Sequence, residues 1–191
     1  MTVHLDFSPR NPVDGVDALF YQRWSPRAFK ATPLSKQQLE CVFDAARWSP
    51  SCFNDQPWSF VTCTAKTHGL FVSLLAEANQ AWAKTAPVIG FVLGRRHFKH
   101  NGNDNHFFQF DAGAAWMAMT LQARKMGLYT HGMGGVNFDA VYEALNIDKS
   151  QQQVLCAFVI GELDEYGHAA QAGAITPRNA LSEVWQQFDG K

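Results

Sequence analysis

The chain has 191 residues, of which 47% are hydrophobic, 13% aromatic and 17% charged. That composition fits one globular domain large enough to bury a core without disulfide or metal staples, and it excludes a disordered chain. Lys and Arg number 16 against 17 Asp and Glu, a formal charge of −1, with no basic stripe of the kind nucleic acid requires. No apolar run approaches the about 20 residues of a membrane-spanning helix.

Residues 1–13 read as an irregular arm, because Pro9 and Pro12 bar regular structure. A helix is expected from near Asp14, with Val16, Leu19 and Phe20 on one face, ending by Ser25-Pro26. Ser35 with Gln38 three residues on is a capping box. Leu39, Val42, Phe43 and Ala46 follow at helical spacing, and Ser49-Pro50 stops the helix. The run WSFVTCT, residues 58–64, is aromatic and β-branched and predicts a strand. A helical region over roughly 66–84 leads through Ala86-Pro87 to a second strand, VIGFVLG. Residues 95–105, RRHFKHNGNDN, read as a loop or mobile lid.

The longest helix is predicted at about 107–126, with small residues at Ala112, Gly113, Ala114 and Ala115 and a stop at Gly127. A strand near 128–131, a glycine-rich turn, a helix at 137–145, a strand at 153–161 and a helix at 181–188 complete the order. Interleaved helices and strands imply an α/β or α+β layer arrangement, read as a single domain over 1–191. The cysteines, Cys41, Cys52, Cys63 and Cys156, form no C-x-x-C pair. The opening MTVHLDFSPRNP lacks a basic stretch followed by an apolar one, so the expectation is a cytoplasmic protein with reduced, mostly buried thiols.

Four stretches place polar groups beside a helix end or tight turn. Arg23-Trp24-Ser25-Pro26-Arg27 offers two guanidiniums and a hydroxyl, which suit a phosphate but also describe a solvated basic turn. Ser49 to Trp58 is a proline-framed loop carrying Ser51, Asn54 and Gln56, able to present amides to a ligand or simply to satisfy its own backbone. His131-Gly132-Met133-Gly134-Gly135 allows close backbone approach without being a dinucleotide fingerprint. Thr176-Pro177-Arg178 sets an arginine before the last helix. His97, His100, Asp104 and His106 form a fifth cluster that could ligate a metal, although no zinc spacing fits and a solvated loop is the simpler reading.

Taken in order, the four stretches resemble the nitroreductase family of FMN-dependent oxidoreductases. Arg23 to Phe29 is similar to the family's R-R-S-x-R-x-F, with Trp24 at the second arginine. Pro50 to Trp58 is similar to P-S-S-x-N-x-Q-P-W, with Cys52 at the second serine. Asp111 to Ala115, Gly127-Leu128 and Met133-Gly134-Gly135 resemble the D-A-G-A-A helix, its G-L end and the glycine turn, here GGVNFD rather than GGFD. Pro177, Arg178, Leu181 and Glu183 resemble P-R-x-x-L-x-E, so the likeness spans roughly residues 16–188.

The resemblance implies an α+β fold with a central, mostly antiparallel sheet flanked by helices, and a homodimer holding FMN between subunits. By it, Arg23, Arg27 and Arg178 hold the FMN phosphate, and Trp24 and Ser25 line its entry. Pro50, Ser51, Cys52 and Asn54 come from the partner subunit to edge the isoalloxazine ring. Gly134 and Gly135 lie against its other side near N5, and Asn79 lies by the pyrimidine edge. The implied activity is ping-pong hydride transfer from NAD(P)H through FMN to nitroaromatic, quinone or similar acceptors. Since the cofactor carries the chemistry, no catalytic side chain is called for. Alternatives on the same fold are a flavin-dependent dehydrogenase, a dehalogenating or flavin-cannibalising enzyme, and a flavin-binding protein without turnover. The apolar side of the long helix, Ala112 to Met119, is expected at the dimer interface.

Overall fold

Residues 5–166 and 175–190 are described by a computed structural model. In chain order the elements are α1 (Ala18–Tyr21), α2 (Lys36–Arg47), β1 (Trp58–Thr62), α3 (His68–Ser73), α4 (Glu77–Ala83) and β2 (Val88–Arg95). They continue with α5 (Phe108–Lys125), β3 (Tyr129–Met133), α6 (Phe138–Ala144), β4 (Gln152–Gly161) and α7 (Leu181–Val184). The four strands form one sheet in the order β1-β2-β4-β3, and all three pairings are antiparallel.

Alternation along the two central strands builds a layer on each face. Ile89, Phe91 and Leu93 of β2 and Ala157 and Val159 of β4 pack with Phe71, Leu75, Ala83 and Val141 from α3, α4, α6 and their joints. Val88, Val92, Phe158 and Ile160 face the other way, against Val42 and Ala46 of α2 and Ala112, Ala115, Met119 and Ala123 of α5. A register shift between Val92 and Leu93 leaves Leu155 as an extra residue in β4, so Leu155 and Cys156 both lie with the α2/α5 layer.

Local chemistry sets the best-predicted boundaries. Ser35 and Gln38 make the reciprocal capping pair: Gln38 N–H donates to Ser35 Oγ at 3.1 Å and Ser35 N–H to Gln38 Oε1 at 2.8 Å. Gly127 ends α5 with φ +78°, a conformation that costs other residues more. Elsewhere tertiary contacts override the pattern. The helix expected from Asp14 is only Ala18–Tyr21, begun where Asp17 accepts from Leu19 N–H. The 66–84 region divides into α3 and α4, because Leu75 leaves the helix to bridge Val136. The C-terminal helix covers Leu181–Val184 rather than 181–188.

Of Ala112 to Met119, Ala112, Ala115 and Met119 are buried in the chain's own α2/α5 layer, whereas Gly113 is exposed and Ala114, Trp116, Met117 and Ala118 are partly so. The other exposed residues of α5 are Gln109, Phe110 and Lys125. Residues 95–105 close on themselves, with a His97–Asp104 bridge and an Asn105-to-Arg96 hydrogen bond, rather than forming an open lid. All four cysteines are free, and the expectation of mostly buried thiols is corrected: Cys41 is exposed and Cys52, Cys63 and Cys156 are only half-buried.

Candidate functional site

The segment after α1 runs along the β3 side of the sheet, where Phe29 bridges Leu163 just beyond β4. Trp24 is buried edge-on against Tyr129, at 6.3 Å between rings, and its indole N–H has no partner among the described residues. Arg23 is half-buried and donates to Ser25 Oγ at 3.3 Å, while Arg27 is exposed. Arg178, also exposed, donates to the Thr176 and Pro177 carbonyls and to Thr176 Oγ1.

Another guanidinium, that of Arg10, joins Arg23 and Arg178 from the arm. Burial pushes Arg10 below its ordinary pKa, and the charges of Arg178 and Arg23 push it further. Arg23 is lowered in the same way, by burial and then by Arg178. None of the three forms an ion pair with a carboxylate among the described residues. Three mutually repelling cations with donors to spare make a site for an anion.

The glycine turn sits at the far end of β3 from that corner and is stitched to the break between α3 and α4. The Gly135 carbonyl accepts from Ala76 N–H and from Asn79 Nδ2, each at 3.0 Å. A Cβ on Gly135 would stand 2.6 Å from Asn79 Nδ2 and would push the amide off its bond to the Gly135 carbonyl. At Gly134 an added Cβ would meet nothing within 4 Å, leaving an open backbone edge. The longer turn is absorbed by the fold: Val136 bridges Leu75, and Asn137 caps α6 by accepting from Ala140 N–H. Trp82 of α4 stacks on His131 of β3 at 4.6 Å, and His131 Nδ1 meets the Pro26 carbonyl at 2.8 Å. The β3 edge thus joins Asn79, Gly134 and Gly135 to the arginine corner. Burial first, and then the charges of Arg27 and Arg23, hold the His131 pKa below the ordinary value despite its carbonyl partners.

The loop after α2 is held in an unusual shape. Phe53, Asn54 and Gln56 all have positive φ, at 53°, 54° and 49°, a conformation that costs non-glycine residues free energy and persists only where surroundings enforce it. Gln56 N–H donates to Ser51 Oγ at 2.9 Å, and Gln56 Nε2 reaches the Asn54 carbonyl at 2.9 Å. Cys52 N–H donates to Asp111 Oδ2 at 3.1 Å, while Pro50 is exposed. Beneath them Asp55, 5% exposed, accepts from Arg95 Nη2 and Lys99 N–H, both at 2.8 Å, and from Asn105 Nδ2 at 3.4 Å. Burial pushes the Asp55 carboxyl up, but the Lys99 N–H and the Arg95 guanidinium outweigh it and leave the pKa lowered. Asp111 is raised, chiefly by burial, with the Cys52 N–H opposing and Asp55 adding to it. Of the four metal-capable residues around 97–106, His97 pairs with Asp104 at 3.2 Å. No three such side chains converge among the described residues.

Within one chain the arginine corner and this loop do not meet. The loop precedes β1 and lies where Arg95 of β2 pairs with Gln152, the first residue of β4. The arginines lie by His131, paired with Val159, and by Leu163 beyond the last residue of β4. Strand rise makes that separation roughly 25–35 Å along β4, with β1 and β3 on opposite sheet edges.

A sequence model described as the Nitroreductase family matches residues 21–70 and 65–162. The chain belongs to this family. A crystal structure described as an oxidoreductase containing FMN is 39% identical, with a TM-score of 0.86 and coverage of 95% of each chain. Among curated relatives, the 4-nitrobenzoate reductase of Pseudomonas putida is 36% identical over 66 residues, 35% of this chain and only 29% of that protein's length. A Streptomyces coelicolor protein named as an NADH dehydrogenase/NAD(P)H nitroreductase is 24% identical over 146 residues, covering 65% of this chain and 74% of the other.

Against the nitroreductase motifs, the structure gathers Arg23, Trp24, Ser25, Arg27 and Arg178 at one corner and Asn79 with Gly134 and Gly135 along the adjoining edge. Pro50, Ser51, Cys52 and Asn54 stand apart on their own loop. Sequence reasoning missed Arg10 and Asp55. Nothing local marks Arg10, whose partners are 11, 13 and 166 residues away. Asp55 had a weak signal, a lone acidic residue inside a proline-framed loop ahead of the basic pair Arg95-Arg96.

Proposed function

We propose that this nitroreductase-family chain is an FMN-dependent NAD(P)H oxidoreductase acting on nitroaromatic, quinone or similar acceptors, with each site built from two copies. The observation that carries the reading is the arginine corner: Arg23 and Arg178, with Arg10 beside them, repel one another and have no carboxylate among the described residues. The donor set fits FMN. The guanidiniums suit a phosphate dianion, the Asn79 amide suits a ring edge, and the open backbone at Gly134 admits a flat ring.

In this reading Arg23, Arg27 and Arg178 bind the phosphate, Ser25 walls the entry, and the buried Trp24 backs that wall from the core. Gly135 and Asn79 fix the turn so that a backbone N–H is presented to the ring near N5. Pro50, Ser51, Cys52 and Asn54 are contributed by a second copy, which accounts for their distance from the arginines in one chain. When bound, FMN would supply a two-electron carrier between NAD(P)H and an oxidised acceptor. The protein's part is to bind, orient and shield, with both reactants using one face in turn.

The test begins with the visible spectrum of the purified protein and of its heat-released supernatant. A yellow protein releasing about one FMN per chain, and oxidising NADH or NADPH when a quinone or nitroarene is added, meets the expectation. A colourless protein that takes up no added FMN refutes it. Arg23→Ala and Arg178→Ala should each weaken FMN binding by ~1.5–3 kcal/mol, the worth of a charged hydrogen bond. Unchanged affinity in both variants would sink the phosphate assignment.

A further inference from the structure

We propose that Arg10 is a positioning residue of the anion corner, stapling the backbones that carry Arg23 and Arg178 so that both guanidiniums address one phosphate. The inference rests on the reading of that corner as the FMN phosphate site.

Three hydrogen bonds define the staple. Arg10 Nη1 donates to the Tyr21 and Arg23 carbonyls, each at 2.6 Å, and Nε donates to the Thr176 carbonyl at 3.1 Å. The first pair grips the end of α1 and the backbone of Arg23 itself. The third grips the residue whose carbonyl and hydroxyl also receive Arg178 Nη1. Two segments far apart in sequence, each bearing a phosphate arginine, are thereby fixed through one planar group. A guanidinium can do this because its donors form a rigid fork, and a lysine ammonium cannot span the same carbonyls.

The choice of a cation is itself informative. A neutral glutamine could bridge carbonyls without adding charge beside Arg23 and Arg178. Arg10 instead sits where the neighbouring charges repel it and where part of its hydration is lost. Its guanidinium also lies over the Phe7 ring at 6.0 Å, and Leu5 and Phe7 pack against the core, so the arm is anchored as it reaches the corner. Such an arrangement is favoured only when an anion shares the three cations, so Arg10 and the phosphate support one another.

The experiment measures FMN and riboflavin affinity on refolded apoprotein by flavin fluorescence, for the wild type, Arg10→Ala, Arg10→Lys and Arg23→Ala. Riboflavin lacks the phosphate, so the ratio of the two affinities isolates the corner from the ring site. In Arg10→Ala the ratio should fall about tenfold or more while riboflavin affinity holds within about twofold. Arg10→Lys should recover only part of the loss, since it restores charge without the fork. An unchanged ratio in Arg10→Ala overturns the inference, as does an equal loss for both ligands, the mark of a general brace. Should Arg10→Ala not fold, Arg10→Lys alone decides, with a wild-type ratio counting against the proposal. If the wild type itself does not prefer FMN, the phosphate reading fails. If it does, and Arg23→Ala loses the preference while the Arg10 variants keep it, Arg10 alone is wrongly assigned.

Discussion

Replacing Asp55 by alanine removes the carboxylate on which the 95–105 hairpin and the strained loop both rest. The side chain is 2% exposed and accepts two short bonds at 2.8 Å, one from a charged donor, plus a longer one from Asn105. Stranding a charge by deleting its fully buried partner typically costs 3–5 kcal/mol. Arg95 keeps its carbonyl bonds to His97 and Asp55 and has a side chain 20% exposed, which places the expected loss near the low end, about 3 kcal/mol. For a chain of this length that corresponds to a fall in Tm of about 6–12 °C. Urea denaturation at pH 7 and fixed protein concentration measures it. Adding Arg95→Ala should cost less than the two single losses summed.

The pH dependence follows from the lowered Asp55 pKa. Its contribution is fully present above the unfolded carboxylate value of about 3.9 and is lost as pH falls through the lower folded value. The gap between wild type and variant should therefore be constant from pH 7 to 5 and narrow below about pH 4. A loss under about 1 kcal/mol at pH 7, or a gap that shrinks between pH 7 and 5, refutes the assignment.

Two further expectations concern Asp111 and the thiols. Asp111 has a raised pKa, so its favourable contribution is complete below the unfolded value and fades as pH rises through the folded one. Asp111→Asn keeps an acceptor for the Cys52 N–H without the charge, and should leave stability at pH 7 unchanged or higher by up to about 1 kcal/mol; Asp111→Ala should lose about 1–3 kcal/mol by orphaning that N–H. Chemical denaturation of both variants would check this, and an asparagine variant weaker than the alanine one contradicts it. Among the thiols, burial pushes Cys156 up to about 11 and Cys63 upward as well, whereas Cys41 is exposed. With a disulfide reagent at pH 8, Cys41 should react first and Cys156 far more slowly, and equally rapid labelling of the two in folded protein would contradict their placement.

What could be read from the chain beforehand follows the range of the interactions involved. The Ser35–Gln38 cap and the Gly127 stop depend on neighbours within one turn, and both stand where the sequence placed them. The α3/α4 break was hidden because it is made by Leu75 pairing with Val136, a contact that periodicity does not record. Trp24, Ser25 and Arg27 were found through motif resemblance, and the fold adds the reason they matter together, the nearby His131 and Trp82. Arg10 and Asp55 act on carbonyls, amides and guanidiniums far along the chain. No local spacing carries that information.

The division between the arginine corner and the 50–56 loop has a genetic consequence. If each site combines the corner of one copy with the loop of the other, a chain stripped of all the corner arginines and a chain stripped of the loop are each inactive alone. Their mixed dimer would nevertheless hold one site in which both halves are intact. Random association of equal amounts should then restore about a quarter of the wild-type sites from two dead proteins. Two such alleles in one cell would complement each other, and a chain that built its whole site alone would allow no such rescue.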